Sequence, residues 1–330
     1  MIVRVIAFLL LSYLHLFICP AWSQIMKVGY PSIGGSMTPL FVAKEAGAFD
    51  RQNLAIEPIF IGGGNRVAQA MVAGELQFAQ VSQAPVMAAV LGGADLVFIA
   101  NLYPTMVYAL YANSHVKKIP DLKGRKVGIT SFGSVIDFGT RLFLNRFRLA
   151  PERDVALIQV GGQTQAVAAL AAHGIDAALL NPPASIEAQR IGAHEIYDLR
   201  QLGVDYAFVG LALSRAYWKR NPATVESFVK AYLEGISVAK KDPVFTMKVL
   251  EKYTKASDPK VLQETYRVFV TDALLEKPYT TEQGIQLNLD GLKERIKKAG
   301  AVSPRDFYDN SIIEKLDKAG YLQSLSGQKK

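Results

Sequence analysis

Between residues 26 and 212, short apolar blocks alternate with longer stretches in which apolar residues recur every three or four places. The first pattern is that of buried strands and the second that of helices. Strands are predicted at Met26 to Tyr30, Ala55 to Phe60, Gln77 to Val81, Leu96 to Asn101, Val107 to Tyr111, Lys126 to Thr130, Ala156 to Val160, Ala177 to Leu180 and Tyr206 to Leu213, with helices beginning near Met37, Asn65, Ala84, Ser134 and Gln163. Such alternation predicts an α/β fold: doubly wound, mostly parallel sheets with helices on both faces. The pattern changes after Asn221-Pro222. Val225, Phe228, Val229, Tyr232, Leu233 and Ile236 follow helical spacing, and Pro222 suits a first helical turn. Pro243, Pro259, Pro278 and Pro304 then punctuate a helical tail whose apolar stripes are expected to pack on an α/β lobe.

The chain also repeats itself. Ile61 to Ala84 aligns without a gap on Gly161 to Ala184, so that Gly62 falls on Gly162, Ala68 on Ala168 and Gly74 on Gly174. Lys27-Val28-Gly29-Tyr30 is echoed at Lys126-Val127-Gly128-Ile129, each running into a Gly/Ser turn. Two similar units with glycine-rich turns at strand ends predict two lobes facing each other across a crevice. Asn101 to Tyr111 and Val204 to Ser214 are the expected crossings. Residues 24–104 plus 209–330 then form lobe 1 and residues 105–208 lobe 2, an arrangement that permits hinge closure.

With 330 residues and half of them apolar, the chain can bury a full core and divide into two domains. Its net charge is +8, but the 37 basic residues are scattered among 29 acids rather than clustered in a stripe. Nucleic acid is therefore not an expected partner. Residues 1–23 read as a signal peptide: Arg4 gives a positive start, Val5 to Ile18 an apolar core, and Ala21-Trp22-Ser23 a cleavage site before Gln24. The apolar run is shorter than the roughly 20 residues of a spanning helix. Lipidation at the sole cysteine, Cys19, is disfavoured by Ile18 before it and Pro20 after it. Cleavage would remove that cysteine, and with it disulfide and thiolate chemistry.

In doubly wound sheets, ligands bind beyond the carboxyl ends of the strands. Gly34-Gly35-Ser36, Gly62-Gly63-Gly64 and Ser82-Gln83 supply that rim in the first repeat. Ser131 to Ser134, Gly161 to Thr164 and Asn181 to Pro183 supply it in the second. Glycine admits a close backbone approach, and helix starts leave N–H groups unpaired, so a small polar or anionic ligand is favoured. For any single loop, a mere tight turn is an equal reading. Asn65 and Arg66 open the helix after Gly64. Arg66 could grip a carboxylate or sulfonate, although a solvent-facing arginine tied to Glu75 is the preferred reading. Tyr103, Tyr108 and Tyr206 could stack on an organic ligand or pack the hinge. GxGxxG and GxxxxGK[ST] are both absent, so no nucleotide cofactor is expected. His115, His173 and His194 are dispersed, without metal-ligand spacing, so neither a metal nor an enzyme is expected.

The segments VGYPSIGG, LFVAKEAGAFDRQNLAIEP, QAMVAGELQFAQVS, IPDLKGRKVGI, AALAAHGIDAALLNPP and ALSRAYWKRNPATVESFVKAYLEG resemble the substrate-binding proteins of ABC importers for nitrate, sulfonates, taurine and related solutes. The tail SPRDFYDNSIIEKLDKAGYL is similar to the NMT1 or thiamine-precursor-like branch. The resemblance covers nearly all of the chain after the leader. It implies the type 2 periplasmic binding fold, a periplasmic monomer, and an ABC permease and its ATPase as partners for solute delivery. It also places Ser36, Gly64, Ser82, Ser134 and Asn181 to Pro183 at the rim, with Met37, Gln83, Gln163 and Thr164 beside them. Pyrimidine-synthesising relatives use a cysteine-rich motif that this chain lacks after its leader. An enzyme on this scaffold, or a sensor without transport, are the alternatives. Ser82→Ala and Ser134→Ala are each expected to weaken binding while leaving stability nearly unchanged.

Overall fold

The computed structural model describes residues 25–293 and 295–326. The expected leader, Cys19 and the terminal Lys329-Lys330 lie outside these residues. In chain order the strands are β1 (Met26–Tyr30), β2 (Ile56–Phe60), β3 (Phe78–Ser82), β4 (Leu96–Asn101), β5 (Ala109–Ala112), β6 (Lys126–Ile129), β7 (Ala156–Gln159), β8 (Ala177–Leu180), β9 (His194–Asp198) and β10 (Val209–Ser214). They form two five-stranded sheets on one plan, ordered β2-β1-β3-β10-β4 and β7-β6-β8-β5-β9. Within each, the first three strands are parallel. The fourth, β10 or β5, runs antiparallel to both its neighbours. Each fourth strand is reached from the other sheet, which makes β4-to-β5 and β9-to-β10 the two crossings.

The crossings begin pairing later than the apolar pattern suggests. β5 starts at Ala109 instead of Val107, and β10 at Val209 instead of Tyr206. The intervening apolar residues bind the other crossing: Tyr206 N–H donates to Pro104 O at 2.9 Å, Phe208 N–H to Tyr103 O at 3.2 Å, and Leu102 N–H to Val209 O at 2.8 Å. Their rings make one buried group, with Tyr108 edge-on to Phe208 at 5.5 Å and Tyr206 stacked on Phe138 at 5.5 Å. Burial raises the pKa of Tyr103, Tyr108 and Tyr206. All three pack where the two crossings meet, and Tyr108 also borders a narrow cavity.

The repeat is visible in the packing. A Cβ on Gly29 would stand 2.4 Å from Leu76 Cδ1, and one on Gly128 would stand 2.5 Å from Ile175 Cδ1. Each glycine seats the side chain that follows its helix, bringing helix and sheet close. Strand β9 and the helix Ala184–Arg190 are absent from the sequence reading. β9 is an edge strand with no buried residue, so its apolar signal is weak.

The tail packs on the first sheet. The long helix Pro222–Lys241 lies against the helix Thr38–Glu45, where a Cβ on Gly235 would come within 2.4 Å of Ala43 Cβ. Phe228 stacks on Phe78 at 3.7 Å between ring centroids. Ile285 and Leu289, on the helix Glu282–Leu292, share an apolar cluster with Val81, Val86 and Met87. No helix among the described residues is long and apolar enough to cross a membrane. Because Gly235 leaves no space for a side chain, Gly235→Val is expected to lower the unfolding free energy by about 1–3 kcal/mol. A reduced urea midpoint with an unchanged slope would register that loss.

Candidate functional site

The rim of the first sheet is built around β3. A Cβ on Gly64 would stand 3.1 Å from Ser82 Oγ and 2.9 Å from Pro85 Cγ, so the turn after β2 lies directly on the turn after β3. Ser82 is partly exposed and begins the helix Gln83–Leu91 without a side-chain cap, which leaves its hydroxyl available. Asn65 and Arg66 are exposed beside it. Arg66 makes no ion pair among the described residues, so the expected tie to Glu75 is not formed. The turn at Ser36 is fixed from below: the fully buried Gln80 donates from Nε2 to Ser36 O at 2.5 Å and accepts from the Tyr232 hydroxyl. Gln80 escaped the sequence reading, and Tyr232 entered it only as part of a helical stripe. A lone glutamine inside the apolar strand Phe78–Ser82 was the available signal, since buried amides need partners.

The second rim is more self-contained. Gln163 and Asn181 interlock: Gln163 Nε2 donates to Asn181 Oδ1 at 2.9 Å, and Asn181 N–H returns to Gln163 Oε1 at 2.9 Å. Asn181 Nδ2 then reaches Val107 O at 3.0 Å. The first rim holds a counterpart, the amides of Gln83 and Asn101 meeting at 3.2 Å. In both, a glutamine opening a helix is braced to an asparagine closing or following the next strand. Thr164 is exposed beside Gln163, and Pro183 and Ser131 are partly exposed.

Ser134 caps the helix Val135–Arg146, its Oγ accepting from Asp137 N–H at 3.2 Å and from Thr130 Oγ1 at 2.8 Å. Asp137, almost fully buried, takes the Gly133 N–H at 2.7 Å. One of the amides assigned to a ligand is therefore already matched to an internal carboxylate. The spacing Ser134-Val135-Ile136-Asp137 is a capping signal that could have revealed this.

Gly64 and Ser82 thus come together in one rim, and Gln163 with Asn181 in the other. Met37, Gln83 and Tyr206 are buried to within about 1% exposure and present no surface to a solute in this conformation. Gln83 N–H is also spent on Phe208 O at 3.1 Å. Near Asn181 and Pro182, a narrow cavity continues past Tyr108 and Tyr111 to Glu264 and Arg267 of the tail. Burial and the adjacent Glu195 carboxylate push Tyr111 up to about 12. Arg200 and Arg267 at this cavity are both engaged, sharing Asp272 at 3.1 and 2.6 Å.

The histidines lie at the opposite ends of the second sheet's strands from the rim. His115 meets Asp176, the residue before β8, at 2.7 Å; His173 meets Asn113 at 3.3 Å; His194 pairs with Ala112, itself opposite Ala177. Asn181 follows the other end of β8. The rims therefore offer hydroxyls, amides and backbone N–H groups for binding, without a histidine base beside them.

The family model described as NMT1/THI5 like matches residues 35–245. A solved protein from Bordetella bronchiseptica RB50 has a TM-score of 0.74 at 21% identity, covering 89% of this chain and 97% of its own. The periplasmic aliphatic sulphonate binding protein SsuA from Escherichia coli has a TM-score of 0.72 at 18% identity, covering 83% and 87%. The periplasmic nitrate-binding protein NrtA from Synechocystis PCC 6803 has a TM-score of 0.68 at 14% identity, covering 90% and 89%. These similarities establish the periplasmic binding protein fold. No curated protein sequence matches the chain.

The cap corrects the expectation that Ser134→Ala leaves stability unchanged. That substitution is expected to cost about 0.5–2 kcal/mol of unfolding free energy, the usual loss for an N-cap serine. Ser82→Ala, which removes no cap bond, should stay within about 0.5 kcal/mol of the parent. Paired urea titrations would separate the two.

Proposed function

The chain belongs to the NMT1/THI5-like family, and from that premise we propose that it is an extracytoplasmic solute receptor, closing two lobes on a small polar or anionic organic molecule. The carrying observation is the pair of polar rims at equivalent strand ends of two repeated sheets: Gly64 against Ser82 in one, Gln163 locked to Asn181 in the other. Two similar structures are those of a sulphonate-binding and a nitrate-binding protein, which favours an oxyanion as part of the solute. Lobe 1 comprises residues 24–104 and 209–330, and lobe 2 residues 105–208. Residues 1–23 are the cleaved leader that takes the protein to the periplasm, where it works as a monomer. An ABC permease and its ATPase receive the solute. Placement of the histidines away from the rims supports binding over catalysis.

Closure sets the energetic requirement. Moving a lobe equilibrium from 1:99 to 99:1 takes about 5.5 kcal/mol of preferential binding. Helix ends supply about 0.3–1 kcal/mol each. The solute must therefore also gain direct hydrogen bonds from both rims, and the Ser82 hydroxyl is the first-rim donor best placed for it.

Calorimetric titration of the parent with nitrate, a short alkanesulfonate, an aromatic carboxylate and a pyrimidine is expected to find one class that binds at a single site. Against that solute, Ser82→Ala should raise Kd by roughly five- to tenfold, equivalent to one hydrogen bond of about 1–1.4 kcal/mol. Thr164→Ala on the second rim should act in the same direction, with Tm unchanged in both. Parent-like Kd values in both variants would remove the solute from the cleft.

A further inference from the structure

Resting on the receptor reading above, we propose that Arg295, just beyond the helix Glu282–Leu292, is a latch that biases the two lobes toward each other before any solute arrives. The helix itself is fixed to the first lobe and the hinge. Ile285 and Leu289 lie in the first lobe's apolar cluster, and Asn288 Nδ2 donates to Ala207 O in the return crossing at 2.9 Å. Its far end meets the start of the second lobe's helix Val135–Arg146 in three adjoining contacts. Phe138 lies where a Cβ on Gly291 would stand, 2.1 Å from Phe138 Cε2, so only glycine admits the ring. Arg295 Nη2 donates to Asp137 Oδ2 at 2.9 Å. The guanidinium also lies over the Phe132 ring at 5.9 Å and close above Gly133.

This contact differs from an ordinary surface ion pair. Asp137 is 2% exposed and holds Gly133 N–H, Arg141 Nε and Arg295 Nη2 at once, whereas Arg295 is 43% exposed. A carboxylate already positioned by Gly133 N–H and Arg141 Nε of its own lobe gives the incoming guanidinium a fixed target, which reduces the ordering cost of pairing. Two further pairs join the same parts of the chain, Arg190 with Asp258 and Arg200 with Asp272. They are more exposed than Asp137, and salt screens them accordingly. Asp137 and Arg295 are therefore the principal fastening, with the other two assisting at low ionic strength. The same carboxylate oxygen accepts from Gly133 N–H on the second rim, so the fastening point lies directly on the rim.

Distance measurement between the lobes tests the latch. In the full chain carrying Cys19→Ser, which removes the single native cysteine, spin labels at Val72→Cys and Ala172→Cys mark exposed, repeat-related positions in the two lobes. Without solute at low salt, the label separations should include a measurable short population, the latch supplying part of the closure free energy that solute completes. Arg295→Gln should raise the ratio of open to closed molecules on the order of tenfold, as expected for loss of one charge-assisted bond, and Arg295→Lys should restore part of the closed population. Arg141→Gln removes a partner of Asp137 within its own lobe and should shift the separation clearly less than Arg295→Gln, even if Tm falls. Identical distributions for Arg295→Gln and parent would overturn the latch, as would an equal shift in Arg141→Gln. Solute titration of the same samples tests the receptor reading apart from it: a salt-sensitive separation in a protein that binds none of the four solutes keeps the latch and rejects the receptor.

Discussion

Each sheet is completed by a strand that enters from the other, and the organisation of the molecule depends on that exchange. β10 sits between β3 and β4, and β5 between β8 and β9, both antiparallel to their neighbours. The crossings that deliver them are bonded to each other through Leu102, Tyr206 and Phe208. Neither sheet can move far without carrying its borrowed strand. The crossings, where Tyr103, Tyr206 and Phe208 pack without solvent, are where the proposed closure would turn.

In the rims, residues proposed to meet solute also meet structural demands. Gln163 and Asn181 are polar enough to meet a solute, yet they also brace a helix start to the end of the next strand. Gln83 and Asn101 form the same kind of brace where no surface is exposed. Ser82 is different because its hydroxyl performs no capping, and Ser134 because its hydroxyl does. Matching loops in a repeat can therefore diverge in use: one rim keeps an available hydroxyl, and the other spends it on its own helix.

Much of this architecture was legible in the amino-acid pattern. Uninterrupted apolar blocks such as Leu96 to Asn101 are buried on both faces and are strands of the expected length. The repeat located the rims because glycine and serine recur where strands end. What escaped detection depends on partners distant in sequence. β9 is half-polar at an edge, and the late starts of β5 and β10 reflect crossings that satisfy each other's backbone. Gln80 becomes meaningful only when Tyr232 folds back over it, 152 positions later. Arg295 drew no attention because its importance comes from Asp137, which is far away in the chain. Local chemistry can be read from neighbours, but pairing across domains cannot.

The interposed strand also imposes an order on assembly. The second sheet uses only residues between Ala109 and Asp198, so all its strands have been synthesised once that stretch has emerged. The first sheet has four of its strands by Asn101 but lacks Val209–Ser214, and until then the edges of β3 and β4 that will receive it are unpaired. Unpaired edges invite association with other chains. The half of the protein made first must therefore wait, incomplete, for a piece made after its twin is ready, and through that interval its unpaired edges are open to association with other chains.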